Sequence, residues 1–134
     1  MHEAFKHTPT RFVVTITCPL SNWYLRHFDL VRIHPVIDFI NVMSYDIHGV
    51  WDANIPSLGP YVKSHTNITE IETGLKMFYK NGVPPHKLTL GVGAYGRTFT
   101  LSDPSCHSPG CVFSGPGNAG PCTNAPGTLA YFEI

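Results

Sequence analysis

Charge is what this chain has least of. Asp, Glu, Lys and Arg make up 13% of its 134 residues, about half the usual share of a globular domain. Nine basic and nine acidic side chains cancel to a formal net charge of zero, and neither sign gathers in blocks. That removes the electrostatic case for nucleic acid or an anionic membrane surface as partner. The longest apolar runs are too short to span a bilayer. No C-x-x-C or H-x-x-x-H pair occurs, so metal-ligand spacing is missing and neither metal nor cofactor is expected. The opening residues, MHEAFKHTPTR, contain no apolar h-region, so no signal peptide is visible. Internal repeats and low-complexity tracts are absent as well.

What is present looks extracellular in origin. Cys106, Cys111 and Cys122 lie in a Gly/Pro-rich loop, and Asn67-Ile68-Thr69 is a glycosylation sequon. Cysteines so spaced suggest disulfides, but the pairing of these three and Cys18 stays open, since four cysteines allow three complete pairings. The contrast between these features and the N-terminus suggests that Met1 is not the start of the ancestral chain. One domain at most fits this length. It falls short of the roughly 200 residues of the smallest closed (β/α)8 barrels.

Along the chain, residues 11–18, RFVVTITC, read as a strand ending at Pro19. Ser21 is a candidate cap for a short helix over residues 22–27, and Asp29 for another over 30–33, stopped by Pro35. A second strand covers 39–44. A loop of about twenty residues follows, long enough to be functional or disordered. Ile68, Ile71, Leu75, Phe78 and Tyr79 share one face of a helix over 68–81, with Asn67 and Glu70 set as a capping box and Gly82 as its stop. A third strand over 87–94 completes a parallel βαβ unit. From Pro104 to Gly127, ten of twenty-four positions are Gly or Pro, which reads as a loop-rich insertion.

The most informative stretch is FINVMSYDIHGVWD, residues 39–52. A buried β run stops at Tyr45-Asp46, and polar and aromatic groups gather at its C-terminal end. Parallel α/β proteins build their sites there. If Asn41, Met43 and Tyr45 point one way, that face lines a barrel interior with Tyr45 at the mouth. Gly91 and Gly93 would share a face with Tyr95, opening space below. Tyr45, Asp46, Tyr95 and Arg97 together offer a phenol donor, a carboxylate, a stacking ring and a fixed cation, and Trp51 adds another stacking face. The set suits a neutral, hydroxyl-rich ligand such as a sugar. Plainer readings stand beside it. Tyr45-Asp46 also fits a strand-end turn, Arg97 a structural ion pair, and Met43 the core. His48 fits a loop-ordering residue, with the other seven histidines scattered to solvent. Trp23 and Tyr24 fit helix-to-sheet packing.

At these residues a family becomes recognisable. MSYDIHGVWD resembles the sixth-strand segment M-x-Y-D-x-H-G-x-W of family 18 glycoside hydrolases, the chitinases. LTLGVGAYGRTFTL resembles their seventh-strand segment, and TITCPLSNWYL their fifth strand and the short helix after it. Residues 105–134 are similar to the opening of the α+β insertion between strands seven and eight, with cysteines like those of large fungal chitinases and the chitinase-like subunit of yeast killer toxins. The resemblance implies an α/β chain. It would be a partial (β/α)8 TIM barrel, strands five to seven, over residues 11–100, with the start of an insertion domain over 101–134. Residues 1–10 are expected to be poorly ordered.

The resemblance further implies substrate-assisted, retaining cleavage of β-1,4-linked N-acetylglucosamine in chitin, with the sugar's own acetamido group as nucleophile. Tyr45 would aim that group, Asp46 would hold the sugar, and Met43 would pack beneath it. Tyr95 and Trp51 would contact sugar rings on the leaving-group side. Arg97 would pair with Asp46 or a substrate hydroxyl. The family's proton donor stands in D-x-x-D-x-D-x-E on its fourth strand, and no carboxylate here stands in that pattern. General-acid help is worth about 10² to 10⁴ in rate. The expectation is therefore a fragment of a secreted fungal-type chitinase, inactive by itself, with no catalytic residue of its own. Its partner would be chitin or chito-oligosaccharides, with no nucleic acid or membrane partner, and it would be a monomer if folded. A non-catalytic chitinase-like lectin is the alternative.

Overall fold

The computed structural model describes residues 9, 10 and 12–134. Most of the expected N-terminal tail, and Arg11 of the first expected strand, lie outside the described residues. The chain groups into two compact units, one running up to Ser44 with Ile68–Val92, the other comprising Tyr45–Asn67 and Gly93–Ile134. The boundary expected after residue 100 follows the family resemblance. By contacts, 45–67 and 93–100 group with the C-terminal segment.

The first unit is α/β. Its parallel sheet has the order β1 (Thr15–Pro19), β2 (Phe39–Met43), β3 (Leu88–Leu90). The register runs from Thr15 opposite Phe39 to Pro19 opposite Met43, then Ile40 opposite Leu88. The parallel βαβ order expected from the sequence is therefore present. The first strand begins later than expected, at Thr15, for a local reason. Val14 donates its N–H to the Asp38 carboxylate at 2.8 Å, and Asp38 donates its own N–H to the Val14 carbonyl. A side chain thus takes the place of a ladder carbonyl just before the strand starts.

Alternation along β2 buries Ile40 and Val42 completely and leaves Phe39, Asn41 and Met43 half-buried on the opposite face. Two single-turn helices connect β1 to β2, α1 (Asn22–Leu25) and α2 (Leu30–Ile33). Asp29 caps α2, accepting the Arg32 N–H, whereas Ser21 makes no side-chain cap bond to α1. Trp23 and Tyr24 do not pack on the sheet as expected. They are 63% and 61% exposed, and the Arg26 guanidinium lies 3.9 Å from the centre of the Trp23 ring. In a helix of one turn a single face is buried, and Leu25 occupies it.

The long helix α3 (Ile68–Lys80) forms where the apolar spacing places it, burying Ile71, Gly74 and Phe78, while Ile68 and Tyr79 of the expected apolar face stay exposed. Its stop is Gly82, at φ +78°. The Val83 N–H returns to the Phe78 carbonyl, closing a Schellman turn. At Gly74 the helix comes so close to Leu20 that an added Cβ would lie 2.5 Å from Leu20 Cγ. Lys87 secures the loop between α2 and β2, donating to the carbonyls of His34 and Ile37 at 2.7 Å each.

The third strand is shorter than the eight residues expected. Only Leu88–Leu90 pair in register, Gly91 adds one more bond to Val42, and Val92 is 88% exposed. Glycines at 91 and 93 supply no side chains to hold the ladder. The segment Tyr95–Arg97, expected at the end of that strand, is a separate strand β4 with its own partner.

The second unit is built from two antiparallel pairs and a loop. β4 (Tyr95–Arg97) pairs with β7 (Thr128–Ala130), and β5 (Phe99–Leu101) with β6 (Phe113–Pro116). The twenty-residue loop is ordered rather than trailing. It contains a 3-10 turn at Val50–Asn54, and residues 60–62 bond to Gly110, Cys111 and Phe113. The one disulfide among the described residues joins Cys106 to Cys111, leaving Cys18 buried and Cys122 exposed as free thiols. The Phe99 and Phe113 rings pack at 4.9 Å between centroids. Glu133 fixes the C-terminal turn by accepting the N–H groups of Ala130, Thr123 and Cys122, which pulls its carboxyl down to about 2.

Candidate functional site

Five of the six residues singled out from the sequence meet within the second unit. The chain leaves β2 through Ser44 and turns at once. Asp46 makes the turn in the left-handed region, at φ +57°, a conformation that costs most L-residues about 1–2 kcal/mol and that Asp tolerates better than most. Its backbone N–H is not wasted, since it donates to Nδ1 of His65 at 3.1 Å. The Ile47 N–H donates to the His65 carbonyl. Two bonds thus tie the first turn after the strand to a residue nineteen positions on.

The Asp46 carboxylate is gripped end-on by Arg97. Nε donates to Oδ1 and Nη2 to Oδ2, each at 2.8 Å. This is the planar two-bond fork that guanidinium makes with carboxylate. The third guanidinium nitrogen, Nη1, donates to the Thr128 hydroxyl at 2.7 Å, so the strand pairing of β4 and β7 aims the arginine. The cation lies 5.1 Å from the centre of the Trp51 ring and 5.2 Å from that of Tyr95.

Electrostatics follow from that packing. Partial burial by itself pushes the Asp46 carboxyl up. Hydrogen bonds from Arg97 and Tyr95, with the Arg97 charge, outweigh burial and hold it below the usual carboxylate range. Tyr95 is pushed up to about 12, first by desolvation and then by the Asp46 carboxylate. Arg97 is raised, chiefly by its bonds to Asp46. Around neutrality the cluster is a fixed carboxylate, a fixed cation and a phenol that keeps its proton.

The aromatic part closes around Gly93. Tyr45 meets Tyr95 edge-on at 6.1 Å, and the His65 ring stacks on Tyr95 at 5.1 Å. A Cβ on Gly93 would sit 3.1 Å from the Tyr95 ring, 3.3 Å from His65 and 3.3 Å from Tyr45. The open space expected at Gly93 is not there: these three side chains occupy it, and the glycine lets them pack. Trp51 leans over Gly49, where a Cβ would lie 2.3 Å from its ring, and is 36% exposed. Its 3-10 turn is braced by a buried pair, His48 Nδ1 to Asp52 Oδ2 at 2.6 Å. His48 therefore orders its own loop. Met43, the sixth residue, belongs to the first unit, where it ends β2 opposite Pro19.

Sequence reasoning missed two members. Thr128 lies beyond the Gly/Pro-rich segment, and no local pattern marks it. His65 was grouped with solvent-facing histidines, yet it is only 9% exposed and both its ring nitrogens are engaged. No cluster of three or more His, Cys, Asp or Glu suited to a metal occurs among the described residues. The paired charges cancel, acceptor lone pairs and phenol groups remain, and aromatic faces flank them. This can bind a neutral polyol and stack on its rings. It is ill suited to donating a proton, because the Asp46 carboxyl is held ionised and Tyr95 holds its proton tightly.

The family model described as Glycosyl hydrolases family 18 matches residues 1–134. The chain is 39% identical over 132 residues to the secreted chitinase LysM12 of Penicillium expansum, covering 90% of this chain and 9% of that protein. It is 37% identical over 127 residues to the killer toxin subunits alpha/beta of Kluyveromyces lactis, covering 94% of this chain and 11% of that protein. Among solved structures, human YKL-39, described as a pseudo-chitinase with retained chitooligosaccharide binding properties, superimposes with a TM-score of 0.82 at 28% identity. That match covers 99% of this chain and 40% of the other. The chain therefore spans about a tenth of the fungal relatives and less than half of the structural one.

Proposed function

The chain belongs to glycosyl hydrolase family 18, and from that premise we propose that it is the sugar-gripping portion of a chitinase, able to hold N-acetylglucosamine units but unable to cleave them by itself. The observation that carries this reading is the Asp46–Arg97 fork, 2.8 Å at both contacts, flanked by Trp51, Tyr45 and Tyr95 in a chain without the D-x-x-D-x-D-x-E string. Asp46 accepts from sugar hydroxyl or amide groups through lone pairs that Arg97 leaves unused. Tyr45 donates its phenol to the acetamido oxygen. Trp51 and Tyr95 lend ring faces to the pyranose. The role of Met43 beneath the sugar rests on the family resemblance alone, as does the assignment of β1, β2 and β3 to strands five to seven of a (β/α)8 barrel. So does the reading of 101–134 as the start of an insertion domain.

In the whole protein the reaction is hydrolysis of β-1,4 linkages in chitin, assisted by the substrate's acetamido group. The general acid it needs is absent from these residues, and no side chain of the cluster substitutes for it. The name of one fungal relative, the secreted chitinase LysM12, supports a secreted protein. Among the described residues no helix is long and apolar enough to cross a membrane.

The chitinase-like lectin is the second reading, favoured by the description of YKL-39 as a pseudo-chitinase that retains oligosaccharide binding. Incubating the chain with a fluorescently labelled chitin oligomer tests the first. The expected result is no released product. Release that survives Asp46→Ala and disappears with another carboxylate would overturn both the inactivity and the roles assigned here.

A further inference from the structure

We propose that His65 is the positioning residue of this site, setting the backbone conformation of Asp46 and the carbonyl of Tyr95 at once. The proposal rests on the sugar-binding reading above and adds a residue that the reading does not use.

Three observations converge on this ring. First, its two nitrogens face backbone groups of two different site residues. Nδ1 receives the Asp46 N–H at 3.1 Å, and Nε2 lies 3.2 Å from the Tyr95 carbonyl oxygen. An amide can only donate and a carbonyl can only accept, so Nδ1 is bare and Nε2 carries the proton. The imidazole is a neutral bridge with one allowed tautomer. Second, the residue it holds is in the left-handed region, Asp46 at φ +57°, where a neighbour must sustain an unfavourable backbone state. Third, the ring is only 9% exposed, stacked on Tyr95 at 5.1 Å and bounded by Gly93. Its position is set by packing on a side chain of the same site.

The consequence reaches the sugar through other residues. The direction of the Asp46 carboxylate follows from its φ, and the Arg97 fork is formed on that carboxylate. Without the bond to His65, Asp46 can leave the left-handed region, its amide loses a partner, and the carboxylate swings off the axis of Arg97. Tyr95 loses both its stacking partner and the bond to its carbonyl. His65 touches no sugar in this account, so its loss weakens binding by disordering the residues that do.

The test uses the whole chain and three variants. His65→Leu removes both bonds, while His65→Asn keeps an acceptor near the place of Nδ1. His65→Gln keeps a donor near the place of Nε2. Long-range nitrogen-15 spectra of the wild-type imidazole are expected to show a bare Nδ1 and a protonated Nε2, and the opposite tautomer overturns the proposal. The Asp46 amide proton is expected to move upfield in His65→Leu and His65→Gln and to return in His65→Asn. An amide that does not move in His65→Leu overturns it. By calorimetry, chitotetraose is expected to bind His65→Leu about tenfold more weakly, the size of one lost partner for a buried N–H, and to recover with His65→Asn. Equal weakening in Leu and Asn variants assigns His65 a purely steric role and overturns the proposal. If the wild-type chain gives no heat with chitotetraose, the sugar-binding reading fails. The tautomer and amide measurements then decide the positioning claim alone.

Discussion

Arg97 holds both carboxylate oxygens of Asp46, Nε on Oδ1 and Nη2 on Oδ2, across a sequence separation of 51 residues. The fork joins the turn after β2 to strand β4, two of the four segments whose sequences carried the family resemblance. Lysine keeps the charge but not the fork. Arg97→Lys is expected to leave the fold intact and to weaken chitotetraose binding by about tenfold, the loss of one charge-assisted bond, read by calorimetry. Binding unchanged from wild type would show that the charge alone is what the site uses.

The same pair makes stability depend on pH. The Asp46 carboxyl is lower in the folded chain than in the unfolded one, so the folded state binds its proton less readily. The contribution is fully present above the unfolded Asp value of about 3.9 and is lost as pH falls through the folded one. Both side chains are partly open to water, at 34% for Asp46 and 22% for Arg97, so screening keeps the effect small. Asp46→Asn retains the left-handed turn and removes the charge. Urea midpoints are expected to favour the wild type at pH 5–7 and to converge at acid pH. A constant difference across that range would remove the ion pair from the explanation.

Helix α3 depends on the missing side chain at position 74. An alanine Cβ there would lie 2.5 Å from Leu20 Cγ and 3.0 Å from the Leu20 carbonyl oxygen. Alanine improves helix propensity by up to about 1 kcal/mol, but overpacking costs about 1–3 kcal/mol, and backbone contact leaves little room to yield. Gly74→Ala is expected to lower the denaturant midpoint. A raised midpoint would show that Leu20 and the helix separate freely.

The Cys106–Cys111 bridge closes a loop with a sequence separation of five. Such a short loop is worth about 2 kcal/mol on the chain-entropy account. Replacing both cysteines with serine is expected to speed amide exchange at Val62, Gly110 and Phe113, which bond across this loop, and to leave exchange in β2 unchanged. Faster exchange throughout β2 would mean that the bridge supports more than its own loop.

Much of the first unit was legible because its signals are local. The spacing of Ile71, Leu75 and Phe78 marks α3, Gly82 marks its end, and the run from Phe39 to Met43 marks β2. Asp29 was readable as a cap because its partner lies three residues away. The end of β3 was not, since Gly91 and Gly93 keep the look of a strand while contributing no side chains to one. Nothing local marks Tyr95–Arg97 as a strand of its own, because its partner, Thr128–Ala130, lies about thirty residues further on. The clustering of Asp46, Arg97, Trp51, Tyr45 and Tyr95 was legible through motif and chemistry. His65 was hidden because its hydrogen bonds are to backbone atoms of distant residues, which no side-chain pattern announces. Trp23 and Tyr24 were misplaced because aromatic residues in a helix normally signal burial, and a one-turn helix has too little surface to bury them.

Calorimetry of the wild-type chain and Trp51→Ala with chitotetraose, with the same samples analysed afterwards for cleaved sugar, tests the central claim most directly. The account predicts heat of binding with the wild type, its loss with Trp51→Ala, and intact tetrasaccharide in both. Shortened oligosaccharides, or binding heat indifferent to Trp51, would contradict it.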